Sequence, residues 1–225
     1  MNTILETAAQ GVPLDDEILT MLESLDEEDR GSGFAASVRA EAEKAEVLAL
    51  AKDLYKWLYD NLRDPGDNLY WNSKGADGSI NTTKWTYNSG AMIAGGVRLY
   101  EATGDTRYLN EAKATAKSSY DYYVRSRNGN PLCYPTNDPW FTIQMIKSYI
   151  ELEPYDKSFV AKAMEVFIAN LDNAWAKGRM ANGLFYEDWT GVKVNPDRDK
   201  GLLMQAAAVE SLGVVALYKD EKADE

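Results

Sequence analysis

Apolar residues 47, 51, 54, 58 and 62 step by four, three, four and four, the stripe of a long helix from about residue 41 to 63. Asp64-Pro65-Gly66-Asp67 stops it. The next stretch, NLYWNSKGADGSINTTKW, is too irregular and too rich in Asn, Gly, Ser and Thr for a helix, and reads as a long loop carrying a short hairpin. Periodicity resumes over 89–103, where Gly90, Gly95 and Gly96 point to a close backbone neighbour, because each glycine costs a helix about 1 kcal/mol relative to alanine. Thr103-Gly104-Asp105 ends that helix at the glycine and starts the next with Asp105 as N-cap. Helices are then expected over 106–127, 139–152, 157–177 and 200–219. They are separated by the loop NGNPLCYPTND, a tight break at Glu153-Pro154-Tyr155-Asp156, and the loop KGRMANGLFYEDWTGVKVNPDRD. Long connections alternate with short ones. The pattern predicts an all-α body of antiparallel helical hairpins whose long loops share one end.

Ahead of that body, PLDDEILTMLESLDEEDRGSG has a proline, an acidic first turn, apolar Leu14, Ile18, Leu22 and Leu25, and a Gly-Ser-Gly stop. Residues 1–46 hold 12 acidic and 3 basic side chains, against 24 and 21 in residues 47–225. The asymmetry predicts an acidic amphipathic arm over 1–33 and a nearly neutral body over 34–225. The arm would lie on the body or bind a partner.

Composition removes several chemistries. The chain has no histidine and one cysteine, Cys133. Imidazole bases, His-dependent nucleophiles, disulfides and multi-cysteine metal sites are therefore excluded, and neither a metal nor a cofactor is expected. A net charge of −12 speaks against a nucleic-acid partner. No apolar run approaches the roughly 18 residues a membrane span requires, so no membrane span is expected. MNTILETAAQG lacks the features of a signal peptide, so the chain as written reads as cytoplasmic, and as secreted if a leader preceded it. What remains is carboxylate chemistry and aromatic surfaces. Trp71, Trp85, Trp140 and Trp189 stand in or beside expected loops, where indole faces could stack on sugar rings or pack against the rim. Tyr87 and Asn88 either face a ligand or cap the helix from 89. Glu187-Asp188-Trp189 is the best carboxylate cluster of the body, for sugar binding or for capping a turn.

The stretch WTYNSGAMIAGGVRLYEATGDTRYLNEA resembles the bacterial endo-α-1,6-mannanases of glycoside hydrolase family 76. It carries Tyr87-Asn88-Ser89-Gly90 at a helix start, Leu99-Tyr100 leading to Thr103-Gly104-Asp105, and Tyr108-Leu109 followed by Ala112. Further matches are KDLYKWLYDNLRDP, the segment from Gly183 to Gly191, and LLMQAAAVE near the end. The resemblance covers residues 45–220 and implies the second half of an (α/α)6 barrel, six helices where the family uses twelve. It implies an α-1,6-mannan or mannooligosaccharide ligand, held through Trp85, Tyr87, Asn88, Asp188 and Trp189. The family's adjacent Asp-Asp pair belongs to the first half of the barrel. Asp15-Asp16 is the only adjacent pair here and lies in the arm. The expected function is therefore glycoside hydrolase-like recognition with the catalytic residues unknown, or alternatively a noncatalytic carbohydrate-binding or assembly module. Half a barrel exposes apolar flanks, which the acidic arm, a second copy of the chain or a complementing chain would cover.

Overall fold

The structure, a computed structural model, describes residues 33–135, 138–197 and 200–223. The expected arm, including Leu14, Ile18, Leu22, Leu25 and Asp15-Asp16, lies outside the described residues apart from Gly33. The chain divides into two compact units, Met1–Asp60 and Asn61–Glu225.

Helix α1, Gly33–Leu62, supplies the described part of the first unit and ends inside the second. Its 30 residues make it about 45 Å long. It begins well before the expected residue 41. Of its expected apolar stripe, Leu62 is buried, Ala51 and Leu58 are half-buried, and Val47 and Leu54 are exposed; Leu50 and Trp57 beside it are exposed too, while Ala45 and Tyr55 are buried.

In the second unit a two-strand hairpin, β1 Ser73–Lys74 and β2 Ile80–Asn81, sits within the expected long loop. Helices α2, Thr86–Thr103, and α3, Thr106–Tyr123, form the first helical hairpin. Gly104 closes α2 at φ 71°, and the Asp105 carboxylate accepts from the Arg107 N–H. The expected helix to residue 127 stops four residues short. Asn128 and Gly129, both at positive φ, turn β3, Arg125–Arg127, back onto β4, Asn130–Cys133. Asn-Gly is a strong hairpin signal, and here it outweighs the helical periodicity before it.

The second helical hairpin is α4, Pro139–Glu151, and α5, Lys157–Lys177; Asp138 and Asp156 cap them by accepting from the Phe141 and Phe159 N–H groups. Helix α6, Leu202–Ala223, closes the described chain. By length and composition it is long and apolar enough to cross a membrane. One face of it is nevertheless tied into the protein. Glu210 accepts from Lys147 at 2.6 Å and from Gln144 at 3.3 Å, and Lys222 pairs with Glu153 at 2.6 Å.

Cross-links fix the direction of the helices. Near their starts α2 and α4 meet through Trp85 and Phe141, and near their ends through Arg98 and Glu151 at 2.7 Å. They therefore run side by side and parallel. Helix α6 runs parallel to α4, since Glu210 meets Gln144 and Lys147 while Lys222 meets Glu153 further along. Three parallel helices thus point their N-termini to one end, and α3 and α5 return the chain antiparallel. Between α2 and α4 the backbones nearly touch. A Cβ on Gly90 would lie 2.8 Å from Met145 Cα, the close approach the glycine predicts. Ile93, Val97, Ile143, Ile146, Tyr149 and Phe167 lead the core, and the buried Tyr149 hydroxyl is satisfied by Ser119 Oγ at 2.7 Å.

Candidate functional site

Each long connection starts from a helix C-terminus and delivers the chain to the N-terminus of α2, α4 or α6. The first, residues 63–85, is closed by one lysine. Lys84 Nζ binds Asp64 at 2.6 Å and Asp67 at 2.7 Å, and lies 5.6 Å from the centre of the Tyr122 ring at the end of α3. Lys84 lowers the Asp64 pKa, chiefly through the hydrogen bond, with the Gly66 N–H adding to it. Burial alone would lower the Lys84 pKa, but its bonds to the two carboxylates raise it. Asn68, at φ 62°, receives Arg63 on its side chain and reaches Ser118 at 3.3 Å. The loop is thus anchored along α3 before the chain enters α2.

That entry builds an aromatic surface. Trp85 is the extended residue before α2 and makes no side-chain cap, so the helix starts at Thr86 rather than at 89, and Asn88 lies inside the first turn instead of capping it. The Trp85 ring meets Phe141 edge-on at 5.4 Å. Tyr87 packs on Phe141 at 4.5 Å and on Trp140 at 6.5 Å, and its hydroxyl donates to Asn72 Oδ1 at 3.3 Å. Around the start of α2, Thr86 Oγ1, Asn88 Nδ2, Ser89 Oγ and the Tyr123 hydroxyl are buried with no hydrogen-bond partner among the described residues. Burial holds the Tyr123 phenol well above its ordinary pKa; Ser89 acts in the opposite direction, from close by but outside hydrogen-bond geometry.

On the other side of the α4 start stands the segment after α5. Asp188, 8% exposed, accepts from the Thr190 N–H at 2.9 Å, the Thr190 hydroxyl at 2.7 Å and the Lys193 N–H at 2.8 Å. Asn128, at the tip of the β3–β4 hairpin, donates to Asp188 at 3.2 Å and to Thr190 at 3.1 Å. Asp188 therefore bolts the second long connection to the third. Trp189 is 5% exposed; it packs on Phe185, and its carbonyl accepts from Asn173 at 2.8 Å. With Pro139, Thr142 and Tyr134 it lines a cavity large enough for about one water, too small for a sugar ring. Burial raises the Asp138 pKa, opposed by the Phe141 N–H and reinforced by the charge of Glu187. Cys133 is buried in the same cavity wall, and its thiol is pushed up to about 11.

The structure thus brings Trp85 and Tyr87 together on Phe141, with Asn88 in the same first helical turn, and sets Trp189, next to the buried Asp188, beside Pro139 at the start of α4. Phe141 and Asn72 join the first group without having been singled out in the sequence. The aromatic pair Trp140-Phe141 directly after Asp138-Pro139 was the signal available for Phe141. Nothing local marks Asn72. Among the described residues, no group of three carboxylates, cysteines or histidines comes together to hold a metal.

Comparison with known proteins gives this arrangement its class. Residues 34–223 match the model of Glycosyl hydrolase family 76, and the chain belongs to that family. An α-mannanase of Bacteroides thetaiotaomicron is 31% identical, with a TM-score of 0.61 over 87% of this chain and 49% of its own. The α-1,6-mannanase of Salegentibacter sp. HEL1_6 is 25% identical, with a TM-score of 0.65 over 81% of this chain and 57% of its own. A variant of that enzyme, inactivated at two adjacent aspartates, has been solved in complex with an α-1,6-linked mannotetraose. A family 76 glycoside hydrolase from a bovine strain of B. thetaiotaomicron shares the fold at 24% identity, with a TM-score of 0.64 over 82% of this chain and 39% of its own. The chain therefore spans between 39% and 57% of the length of these structures. Its helical fold fits part of the (α/α)6 barrel of these structures. A search of curated proteins gave no significant match.

Proposed function

We propose that this chain recognises α-1,6-linked mannooligosaccharides on the rim formed by its three long connections. The observation that carries this reading is the surface of Trp85, Tyr87 and Trp140 beside Asn72 and Asn88, mounted on two parallel helix starts whose backbones are fixed by Gly90. Rings offer faces to the apolar sides of a sugar, and the amides offer hydrogen bonds to its hydroxyls. Asn88 Nδ2 finds no partner among the described residues, and a buried donor of that kind is normally satisfied. The mannotetraose complex of the Salegentibacter relative supports the choice of ligand. In this reading Trp85, Tyr87 and Asn88 touch the sugar. Asp188 and Trp189 act from below, holding the second and third connections in place.

Hydrolysis is a separate matter. It needs two carboxyl groups about 5 to 9.5 Å apart across the glycosidic bond. No two aspartates are adjacent among the described residues, and Asp188 is occupied by its own loop. These observations favour binding without turnover by this chain alone. Calorimetric titration with α-1,6-mannotetraose and a reducing-sugar assay on α-1,6-mannan separate the outcomes. Saturable binding without sugar release is expected. Sugar release would make the chain a hydrolase in its own right, and the absence of both would remove the mannoside reading.

A further inference from the structure

We propose that Asn128-Gly129 is a site of spontaneous deamidation, and that the carboxylate it creates releases the second long connection from the third. The inference needs no ligand and stands apart from the mannoside reading. The chain holds two Asn-Gly pairs, Asn128-Gly129 and Asn182-Gly183. Such pairs are the most open to attack on the side-chain amide by the following backbone nitrogen, because glycine puts no side chain beside that nitrogen. Both pairs are exposed. No atom beyond the adjoining residues lies within 4 Å of where a Cβ on Gly129 or Gly183 would stand, so water reaches each turn. Water is the one co-reactant needed. The Gly129 nitrogen gives up its proton and bonds to Asn128 Cγ, the Cγ–Nδ2 bond breaks, and ammonia leaves with that proton. Water then opens the cyclic imide. Opening at Cγ restores the main chain and leaves an aspartate; opening at the Asn128 main-chain carbonyl routes the chain through the side chain and leaves an isoaspartate. Either product has exchanged an amide nitrogen for a carboxylate oxygen.

What separates the two pairs is what each amide holds. Asn128 Nδ2 donates to Asp188 Oδ2 at 3.2 Å and to Thr190 Oγ1 at 3.1 Å. Loss of that nitrogen removes the donor of both bonds. The oxygen in its place carries negative charge against the Asp188 carboxylate, which cannot turn away, because Thr190 and the Lys193 N–H hold it in a site only 8% exposed. A new charge beside an existing carboxylate disrupts by repulsion, so the exposed hairpin tip swings out to water. Isoaspartate also adds a methylene to the main chain in the tight Asn128-Gly129 turn between β3 and β4, whose register depends on that turn. Asn182 engages through its oxygen instead, which accepts from the Leu184 N–H at 3.2 Å, and an aspartate keeps that acceptor. Conversion to aspartate is therefore consequential at the first pair and silent at the second.

The test uses the full chain in two arms. In the first, wild-type protein is aged in mildly alkaline buffer at body temperature and mapped by peptide mass spectrometry. Deamidation is expected at both Asn128 and Asn182; an Asn128 that remains an amide would overturn the proposal and mean that its bonds to Asp188 and Thr190 protect it. In the second arm, amide hydrogen exchange is compared across residues 125–133. Asn128 is exposed, so Asn128→Asp should keep the wild-type circular dichroism. Exchange in that variant should be about fivefold faster, the shift in a local opening equilibrium when one hydrogen bond of ordinary strength is lost. Asn182→Asp should exchange across this hairpin at the wild-type rate. Introduced into Asp188→Asn, the Asn128→Asp change should no longer speed exchange, since the opposing charge is gone. Wild-type exchange in Asn128→Asp would overturn the proposal. So would an equal acceleration with and without the Asp188 carboxylate, which would assign the effect to the turn alone.

Discussion

Asp188 accepts hydrogen bonds from two neighbours in its own loop and from Asn128 of the β3–β4 hairpin, with little exposure to water. Replacing it by alanine removes the acceptor of the buried Thr190 N–H and hydroxyl, each at a penalty of about 1 to 3 kcal/mol, whereas the exposed Lys193 and Asn128 can turn to water. Asp188→Ala is therefore expected to lower the unfolding free energy by about 2 kcal/mol or more, read as a fall in urea midpoint at constant m-value. A change below half a kcal/mol would mean that the bolt between the two connections is slack. What the sequence reveals at this scale depends on distance. The caps Asp105, Asp138 and Asp156 are legible because a carboxylate bonding to an N–H two or three residues on is a local event. The burial of Trp189 is not, because Phe185, Asn173 and Pro139 bring it about from separate segments. Neither is the partnership of Tyr87 with Asn72, fifteen residues earlier.

At the scale of elements, two devices hold the rim. One is the contact of α2 on α4 at Gly90. Gly90→Ala places a methyl 2.8 Å from Met145 Cα, on backbone that cannot swing aside, and is expected to destabilise by about 1 to 3 kcal/mol despite alanine's better helix propensity. A more stable variant by thermal denaturation would show that the helices can part at no cost.

The other device is the clasp of Lys84 on Asp64 and Asp67. The Asp64 pKa is lowered from 3.8, so the clasp stabilises above that pH and is lost as pH falls through the lowered folded value. The Lys84 pKa is raised from 10.5, so on the alkaline side the contribution is complete below that pH and lost as pH rises through the raised folded value. The stability difference between wild type and Lys84→Met should accordingly be flat through neutral pH and shrink on acidification below about 3.8; a difference that persists unchanged in acid would assign the effect to packing.

Element types were largely legible, since a 3.6-residue period survives tertiary context. Two misreadings have physical causes. Helical periodicity through residue 127 masked the Asn128-Gly129 turn, whose positive φ angles decide the matter. On α1 the expected apolar stripe runs from an exposed Val47 to a buried Leu62, because periodicity shows that a helix has an apolar face and not what covers it.

For the whole molecule, the sequence motifs, the family match over residues 34–223 and the parallel arrangement of α2, α4 and α6 agree on a portion of an (α/α)6 barrel. The long connections gather at one end because each odd helix finishes there and each even helix starts there. This placement makes a binding rim from segments distant in sequence, and it explains why composition could exclude chemistries without locating a site. Histidine and cysteine counts are properties of the chain; the rim is a property of the packing.

The central claim is that the Trp85, Tyr87 and Asn88 surface holds an α-1,6-mannoside. The most direct test follows intrinsic tryptophan fluorescence as α-1,6-mannotetraose is added to wild type, Trp85→Ala and Trp175→Ala, the last removing an exposed indole stacked on Arg179. Wild type and Trp175→Ala should saturate with the same midpoint, and Trp85→Ala should bind about tenfold more weakly, a loss of ~1.4 kcal/mol. Equal midpoints for wild type and Trp85→Ala, or no saturation by the wild-type chain, would contradict the account.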